Sequence, residues 1–335
     1  MIAQAGESFV NQWFDTYWLV LVTKVAIVLI FFLVAPLGVG YAEHKVLAHM
    51  QGRMGPMYAG RFHGWAQLLA DGAKFVQKED VIPAAADRWV FSLAPAVALV
   101  PYIVLFVVIP FSDEIFILNL DVGIFFVMAI TSVTVIGVLM AGWASANKFS
   151  LIGALRAAAQ LIAYELPLVL GAAAVVMQAG TLSMIGIVEA QEQYWYVISQ
   201  PIGFLIFLIA SLAELTRPPF DMPVADSEII FGAYTEYTGL KFAFFLLAEY
   251  GGIVALAAVT SVLFLGGYQP VPFLEFIPEP FWMLAKIGAL SFLIIWLRAT
   301  FPRLREDQLQ RVSWLTLIPL ALLQIMVIGF LKVAV

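Results

Sequence analysis

Three carboxylates stand where a carboxylate is costly. Glu165 lies in AAAQLIAYELP, Glu214 in FLIASLAELT and Glu249 in FAFFLLAEYGG, each inside an apolar run. An ionised acid at the bilayer centre costs about 2.5–3.5 kcal/mol on insertion scales, so each must be paired, protonated or turned to water. Carboxyls taken out of water can hold and pass protons near neutral pH, and a line of them makes a proton route. The alternative for any one of them is a neutral, hydrogen-bonded packing residue. Three at similar depth beside an acidic loop favour the route. That loop begins at Glu214 and reads ELTRPPFDMPVADSEIIFGAYTEYTG, with five acids (Glu214, Asp221, Asp226, Glu228, Glu236) against one base, Arg217. Pro218, Pro219 and Pro223 keep it out of regular helix. Phe220, Met222, Ile229, Ile230 and Phe231 give it more apolar area than a solvated loop needs, so it is expected to line a cavity under the membrane surface. Lys286, in FWMLAKIGALSF, is a further intramembrane charge. It reads as a proton-path cation, as a partner for one acid, or as a side chain snorkelling to the outer surface.

Other chemistries find little support. His44, His49 and His63 are the only histidines and lack the tight spacing of a metal site. No glycine-rich phosphate loop opens a helix after a strand, and nothing points to nucleic acid. The absence of Cys excludes disulfides, a Cys-ligated iron–sulfur cluster and a thiolate nucleophile within the chain.

The elements that position these groups are transmembrane helices. Hydrophobic residues make up 63% of the chain and charged residues 12%, against roughly 25% charged in soluble domains. Mean hydropathy is +0.96. The expected fold is an all-α integral membrane protein, a single polytopic domain over residues 1–335. A spanning helix needs about 20 mostly apolar residues. Eight runs qualify: 17–41, 89–111, 122–146, 158–180, 199–216, 242–266, 281–300 and 312–334, the fifth being the shortest. The opening MIAQAGESFVNQWFD has no basic stretch and is not expected to be a secretory signal. Fourteen of the seventeen basic residues fall in the odd-numbered connections. These are therefore expected to face the cytoplasm, with both termini on the other side. On these boundaries Glu165 and Glu249 each lie about seven residues inside the cytoplasmic ends of their helices, on the order of 10 Å deep. Glu214 lies two residues before its helix ends. Within the first connection (42–88), HGWAQLLADGAKFVQKED (from His63) spaces Trp65, Leu68, Leu69, Gly72, Phe75 and Val76 by threes and fours, with Asp71, Lys74, Lys78 and Glu79 mostly opposite. This is a short amphipathic helix lying on the membrane surface. Residues 215–241 form the acidic loop.

Long motifs carry a family resemblance. QGRMGP (from Gln51), LADGAKFVQKEDVIP (Leu69), AGWASANKFSLIGALRAAAQLIAYE (Ala141), RPPFDMP (Arg217), TEYTGLKFAFFLLAEY (Thr235), LFLGGY (Leu263) and WLRATFPRLREDQL (Trp296) occur in order along nearly the whole chain. The sequence resembles the H subunits of the proton-pumping NADH–quinone oxidoreductase, respiratory complex I, and their mitochondrial counterpart, NADH dehydrogenase subunit 1. The resemblance implies eight transmembrane helices and a quinone tunnel at the junction with the peripheral arm, its entrance lined by the amphipathic helix. It implies quinone (ubiquinone or menaquinone) as substrate, with no flavin, iron–sulfur cluster or metal in this chain. Implied partners are antiporter-like and other membrane subunits, peripheral-arm iron–sulfur and quinone-site subunits, and lipid, in an energy-transducing membrane, bacterial cytoplasmic in the first instance. Carried over by motif, His44, Arg53, Trp65, Asp71 and Lys74 would serve quinone binding. Glu165, Glu214, Asp221, Asp226, Glu228, Glu236 and Glu249 would form the proton path, joined by Lys286. Arg217, Arg298, Arg303 and Arg305 would meet the peripheral arm.

Three departures mark this chain. Glu43-His44-Lys45 stands where the family reads Glu-Arg-Lys or Glu-Arg-Arg, putting a titratable histidine in place of an arginine. Met57-Tyr58-Ala59-Gly60-Arg61 replaces Asn-Arg-Val-Gly-Pro. Pro223-Val224-Ala225-Asp226-Ser227-Glu228 replaces Pro-Glu-Ala-Glu-Ser-Glu, with one acid lost and one shortened. Competing readings are an equivalent subunit of a related complex with a different electron donor, a stand-alone proton-coupled transporter, and a passive anchor. The transporter would call for an internal repeat, and none is visible.

Overall fold

The apolar runs assemble into a bundle of helices, seen in a computed structural model that describes residues 17–224, 228–271 and 276–334. Asp226 lies outside the described residues. No strand occurs among those described.

Helix α1 runs over Tyr17–Met50. At 1.5 Å per residue it is about 50 Å long, well beyond the ~30 Å hydrocarbon core. Its last turns therefore carry Glu43, His44 and Lys45 past the end expected at residue 41. The amphipathic helix is α2, Gln67–Gln77, with no buried residue of its own. It is tied to the bundle at its far end. Lys241 pairs with Asp80 at 2.8 Å, Thr238 Oγ accepts from the Val81 amide and donates to the Glu79 carbonyl, and Phe75 packs on Phe242.

Two caps fix helix starts. Asp87 accepts from the Trp89 and Val90 amides and opens α3, Arg88–Leu105. After α4 (Gly123–Ala144), Asn147 accepts from the Phe149 amide and opens α5, Lys148–Ala179. The sequence reading starts that helix at 158, so its boundary is corrected by ten residues. Glu165 consequently lies about 25 Å from the helix start rather than about 10 Å.

Short helices α6 (Met184–Glu189) and α7 (Tyr196–Ser199) lead into α8, Pro201–Glu214. This is the fifth expected span. At 14 residues it is about 21 Å long, less than the core thickness. Its flanks are anchored by buried residues, Gln191, Tyr196 and Gln200 before it and Leu215, Arg217 and Phe220 after it, although Tyr194 and Ile198 are exposed. Among the described residues, seven other helices are long and apolar enough to cross a membrane.

The axis of the bundle is α9, Gly239–Phe264. Every residue from Gly251 to Phe264 is buried, as expected of a helix apolar on all sides. Helices α1, α3 and α10 (Glu279–Thr300) pack around it. α11 (Glu306–Arg311) passes through a wide π turn, Val312–Leu317, into α12, Ile318–Ala334. Ser313 Oγ in that turn donates to the Ala163 carbonyl at 2.5 Å, and Tyr164 donates to the Leu309 carbonyl at 2.9 Å, fastening the turn to α5 beside Glu165.

Candidate functional site

The end of α8, the acidic loop and the first half of α9 enclose a cavity of about 310 Å³ against α3 and α4. Glu214, Asp221, Glu249, Tyr102, Thr134, Tyr234 and Arg298 all line it. Glu214 is the last residue of α8, 4% exposed, and neither carboxylate oxygen has a protein hydrogen-bond partner. Glu165 on α5 lies within electrostatic reach of it.

Buried polar side chains hold the cavity walls in place. Gln160 on α5 donates through Nε2 to the carbonyls of Ala213, at 2.7 Å, and Phe220, at 2.6 Å. One amide thus fixes both the end of α8 and the start of the loop. The 3₁₀ turn Gly232–Tyr234 packs on α5 because two glycines allow it. At Gly153 a β-carbon would stand 2.5 Å from the Ala233 amide nitrogen, and at Gly232, with φ 50°, one would overlap the Pro223 carbonyl oxygen. The turn aims Tyr234 at the cavity. Arg303 donates to the Asp221 carbonyl, and the Leu304 amide to the Pro219 carbonyl at 3.1 Å, so the segment after α10 braces the loop from outside.

An ion-pair chain forms one side of the site. Arg217 Nη1 meets Glu43 Oε2 at 2.6 Å, Arg298 also binds Glu43, and Arg217 Nε lies 2.7 Å from Glu249 Oε1. The last contact is close but lacks hydrogen-bond alignment, so it acts through charge alone. The Arg217 guanidinium also sits 4.7 Å from the centre of the Tyr250 ring. Arg217 is 1% exposed. The expectation that it meets another subunit is corrected: its charge is consumed by two carboxylates of its own chain. Glu43, 2% exposed, is the residue the sequence reading leaves out of the site. It lies just past the apolar run of α1, where a hydropathy threshold discards it.

The other acids are distributed unevenly. Glu228 pairs with Arg156 at 2.5 Å on the surface, and Arg156 holds its carboxyl below the usual range. Glu236 accepts from Asn147 Nδ2 at 2.5 Å. Burial pushes the Asp221 carboxyl up to about 6, with Arg303 and Arg298 opposing the shift and Glu249 adding to it. Lys286 is not brought to these acids. Its Nζ donates to the Gly267 and Gln269 carbonyls at 2.7 and 2.8 Å and lies 4.4 Å from the Trp195 ring centre, at the far end of α9. Arg305 is exposed and pairs with Asp307.

None of the five residues assigned to quinone binding lines the cavity. Asp71 pairs with Lys74 at 2.8 Å and accepts from Gln67 on α2. Partial burial pushes its carboxyl up, but these contacts prevail and hold it below the usual range, with His44 of α1 adding to the effect. Trp65 donates to the Gly60 carbonyl, and Arg53 to Gln51. His44 is on α1, Asp71 and Lys74 are on α2, and Arg53 and Trp65 lie in the connection between the two helices. Among the described residues no group of three or more His, Asp or Glu is placed to hold a metal.

A bundle of apolar helices enclosing a cavity lined by acids defines a multi-pass membrane protein equipped to handle charge. The family model described as NADH dehydrogenase matches residues 23–329. The chain is 49% identical over 291 residues to the H subunit of NADH-quinone oxidoreductase from Bacillus cytotoxicus. It is 48% identical to that of Bacillus mycoides and 47% to that of Geobacillus kaustophilus, with 87% of each chain covered in all three. The chain belongs to the NADH dehydrogenase family, as a membrane subunit of NADH–quinone oxidoreductase, respiratory complex I.

Proposed function

We propose that this subunit forms the membrane-side part of a quinone tunnel and couples quinone reduction to proton translocation through the acids of the cavity. The observation that carries the proposal is Glu214: buried, with two unpartnered oxygens, on a cavity roomy enough for water. A buried carboxylate without donors is costly, so Glu214 is under pressure to take up a proton or bind water. Quinone reduction consumes protons and electrons together. The electrons would come from a cluster in a peripheral-arm partner, since this chain has no Cys. The residues here position substrate and hold or move protons. His44, Asp71, Lys74, Arg53 and Trp65, on α1, α2 and the connection between them, would receive the quinone from the membrane. Glu43, Arg217 and Glu249 would relay its charge state to Asp221 and Glu214, and Glu165 would pass the signal toward antiporter-like subunits. Arg303 and Arg305 remain on the surface for a peripheral-arm partner.

The test is Glu214→Gln in the intact complex, reconstituted in liposomes, with NADH-driven quinone reduction and lumen acidification read together. Acidification is expected to fall by about a hundredfold, the low end of what a positioned proton donor contributes, with the complex still assembled. Unchanged acidification would remove Glu214 from the path and leave a passive anchor.

A further inference from the structure

At the opposite end of the bundle, Lys24 stands seven residues into α1. Its Nζ donates to the Ile117 carbonyl at 3.0 Å, in the connection after α3. An ammonium carries three donors, and among the described residues no carboxylate pairs with this one. Beside it α1 and α3 leave an apolar groove of about 480 Å³. Val28 forms its floor, 6% exposed, while Val25, Leu29 and Leu118 on its walls are 50%, 43% and 46% exposed. The lysine is the groove's one charged lining residue among those described.

We propose that this groove binds an anionic phospholipid, its acyl chain along α1 and α3 and its phosphate on Lys24. The α1 residues of the groove run from Val20 to Leu29, about 14 Å of helix rise, the depth of one leaflet of a ~30 Å core and hence of an acyl chain. Charge selects the headgroup. Lys24 reaches from the apolar wall toward the surface connection, as a snorkelling lysine does, and brings its remaining donors to the level where phosphates lie. A zwitterionic lipid would fill the groove but leave the positive charge without a net counter-charge.

The test places a photoreactive amino acid at Val25 in the intact complex, reconstituted in phosphatidylcholine vesicles with phosphatidylglycerol as the minority lipid. Adducts are identified by mass spectrometry, and quinone reduction checks that the complex is intact. One lysine near a membrane surface favours an anionic lipid about fivefold. Phosphatidylglycerol adducts at Val25 should therefore exceed the bulk ratio by about that factor, and return to bulk in the Lys24→Gln background. The same group at Val22, exposed on α1 outside the groove, should capture lipids at the bulk ratio. Adducts to another subunit, or to residues 1–16 of this chain, would overturn the proposal. So would equal enrichment at Val22, or enrichment that survives Lys24→Gln.

Discussion

The ion-pair chain Arg298–Glu43–Arg217–Glu249 can be tested by a double-mutant cycle. Its two inner members are almost fully withdrawn from water, Arg217 at 1% and Glu43 at 3% side-chain exposure, whereas Glu249 and Arg298 are 34% and 33% exposed. The four charges sum to zero. Glu43→Gln leaves one uncompensated positive charge in the cluster and Arg217→Gln one negative charge. Removing one partner of a buried pair costs about 3–5 kcal/mol, chiefly because the other charge is stranded. Glu43→Gln/Arg217→Gln restores neutrality with uncharged amides, the first near-isosteric and the second shorter than the residue it replaces. The double variant should therefore be more stable than the sum of the singles implies, by about 2 kcal/mol or more. Arg298→Gln should be the mildest single change, because Glu43 keeps Arg217 and the lost arginine is partly solvated. The assay is thermal inactivation of the purified complex, read as residual quinone reduction and as retention of this subunit on native gels. Additive losses, or a double variant worse than either single, would refute the reasoning.

Four further outcomes are expected. Burial holds Asp221 at about 6 against an ordinary 3.8, so the folded chain keeps a proton that the unfolded chain sheds, and stability falls as pH rises between those values. Asp221→Asn should equal wild type at the low end and gain above pH 6, by about 3 kcal/mol at most; an inflection of quinone reduction near pH 6 should vanish with it, and an unchanged profile would count against the assignment. Gln160→Leu strips a donor from the Ala213 and Phe220 carbonyls and should cost about 1–3 kcal/mol per orphaned group, with a loss of proton pumping that Gln160→Glu does not fully restore. Gly153→Ala pushes the 232–234 turn off α5 and should lower both thermal stability and turnover, by about 1–3 kcal/mol for the former. Arg156→Gln breaks only partly exposed pairs, with Glu228 at 2.5 Å and Glu306 at 3.8 Å, and should shift stability by about 1 kcal/mol or less.

The parts of the fold legible in the sequence are those written in long-range hydropathy. Eight apolar runs announce the helices, and threes-and-fours spacing announces α2. The start of α5 is not legible because the charges of Lys148 and Arg156 bracket its apolar first turns and cut them off from the run that follows, while the helix start itself is set by a single side-chain cap at Asn147. The end of α1 escapes for the same reason: Glu43, His44 and Lys45 continue the helix in polar residues. Arg217 is misplaced by sequence alone because a lone base among five acids reads as a surface charge, while its partner Glu43 lies 174 residues away. Local pattern holds no trace of such a pairing. Lys286 instead satisfies backbone carbonyls of the connection just before its own helix, in line with the snorkelling reading that the sequence offers.

Partnering then separates the acids in a way that position along the chain could not. Glu43 and Glu249 are neutralised by arginines, Glu228 by Arg156, and Glu236 accepts an amide from Asn147. Each of these contacts stabilises the charged carboxylate or fixes its geometry. Glu214 has neither base nor donor, although it is more deeply buried than Glu249, Glu228 or Glu236. A fold that needed Glu214 only for packing could supply a donor from Ser211 or Gln160, both buried nearby; Ser211 Oγ is itself unpartnered, and Gln160 spends its amide on backbone carbonyls. The donors are close in sequence or in space and are withheld. That leaves Glu214 responsive to the charge of its neighbours across the cavity, which is the property a coupling acid requires and a structural one does not.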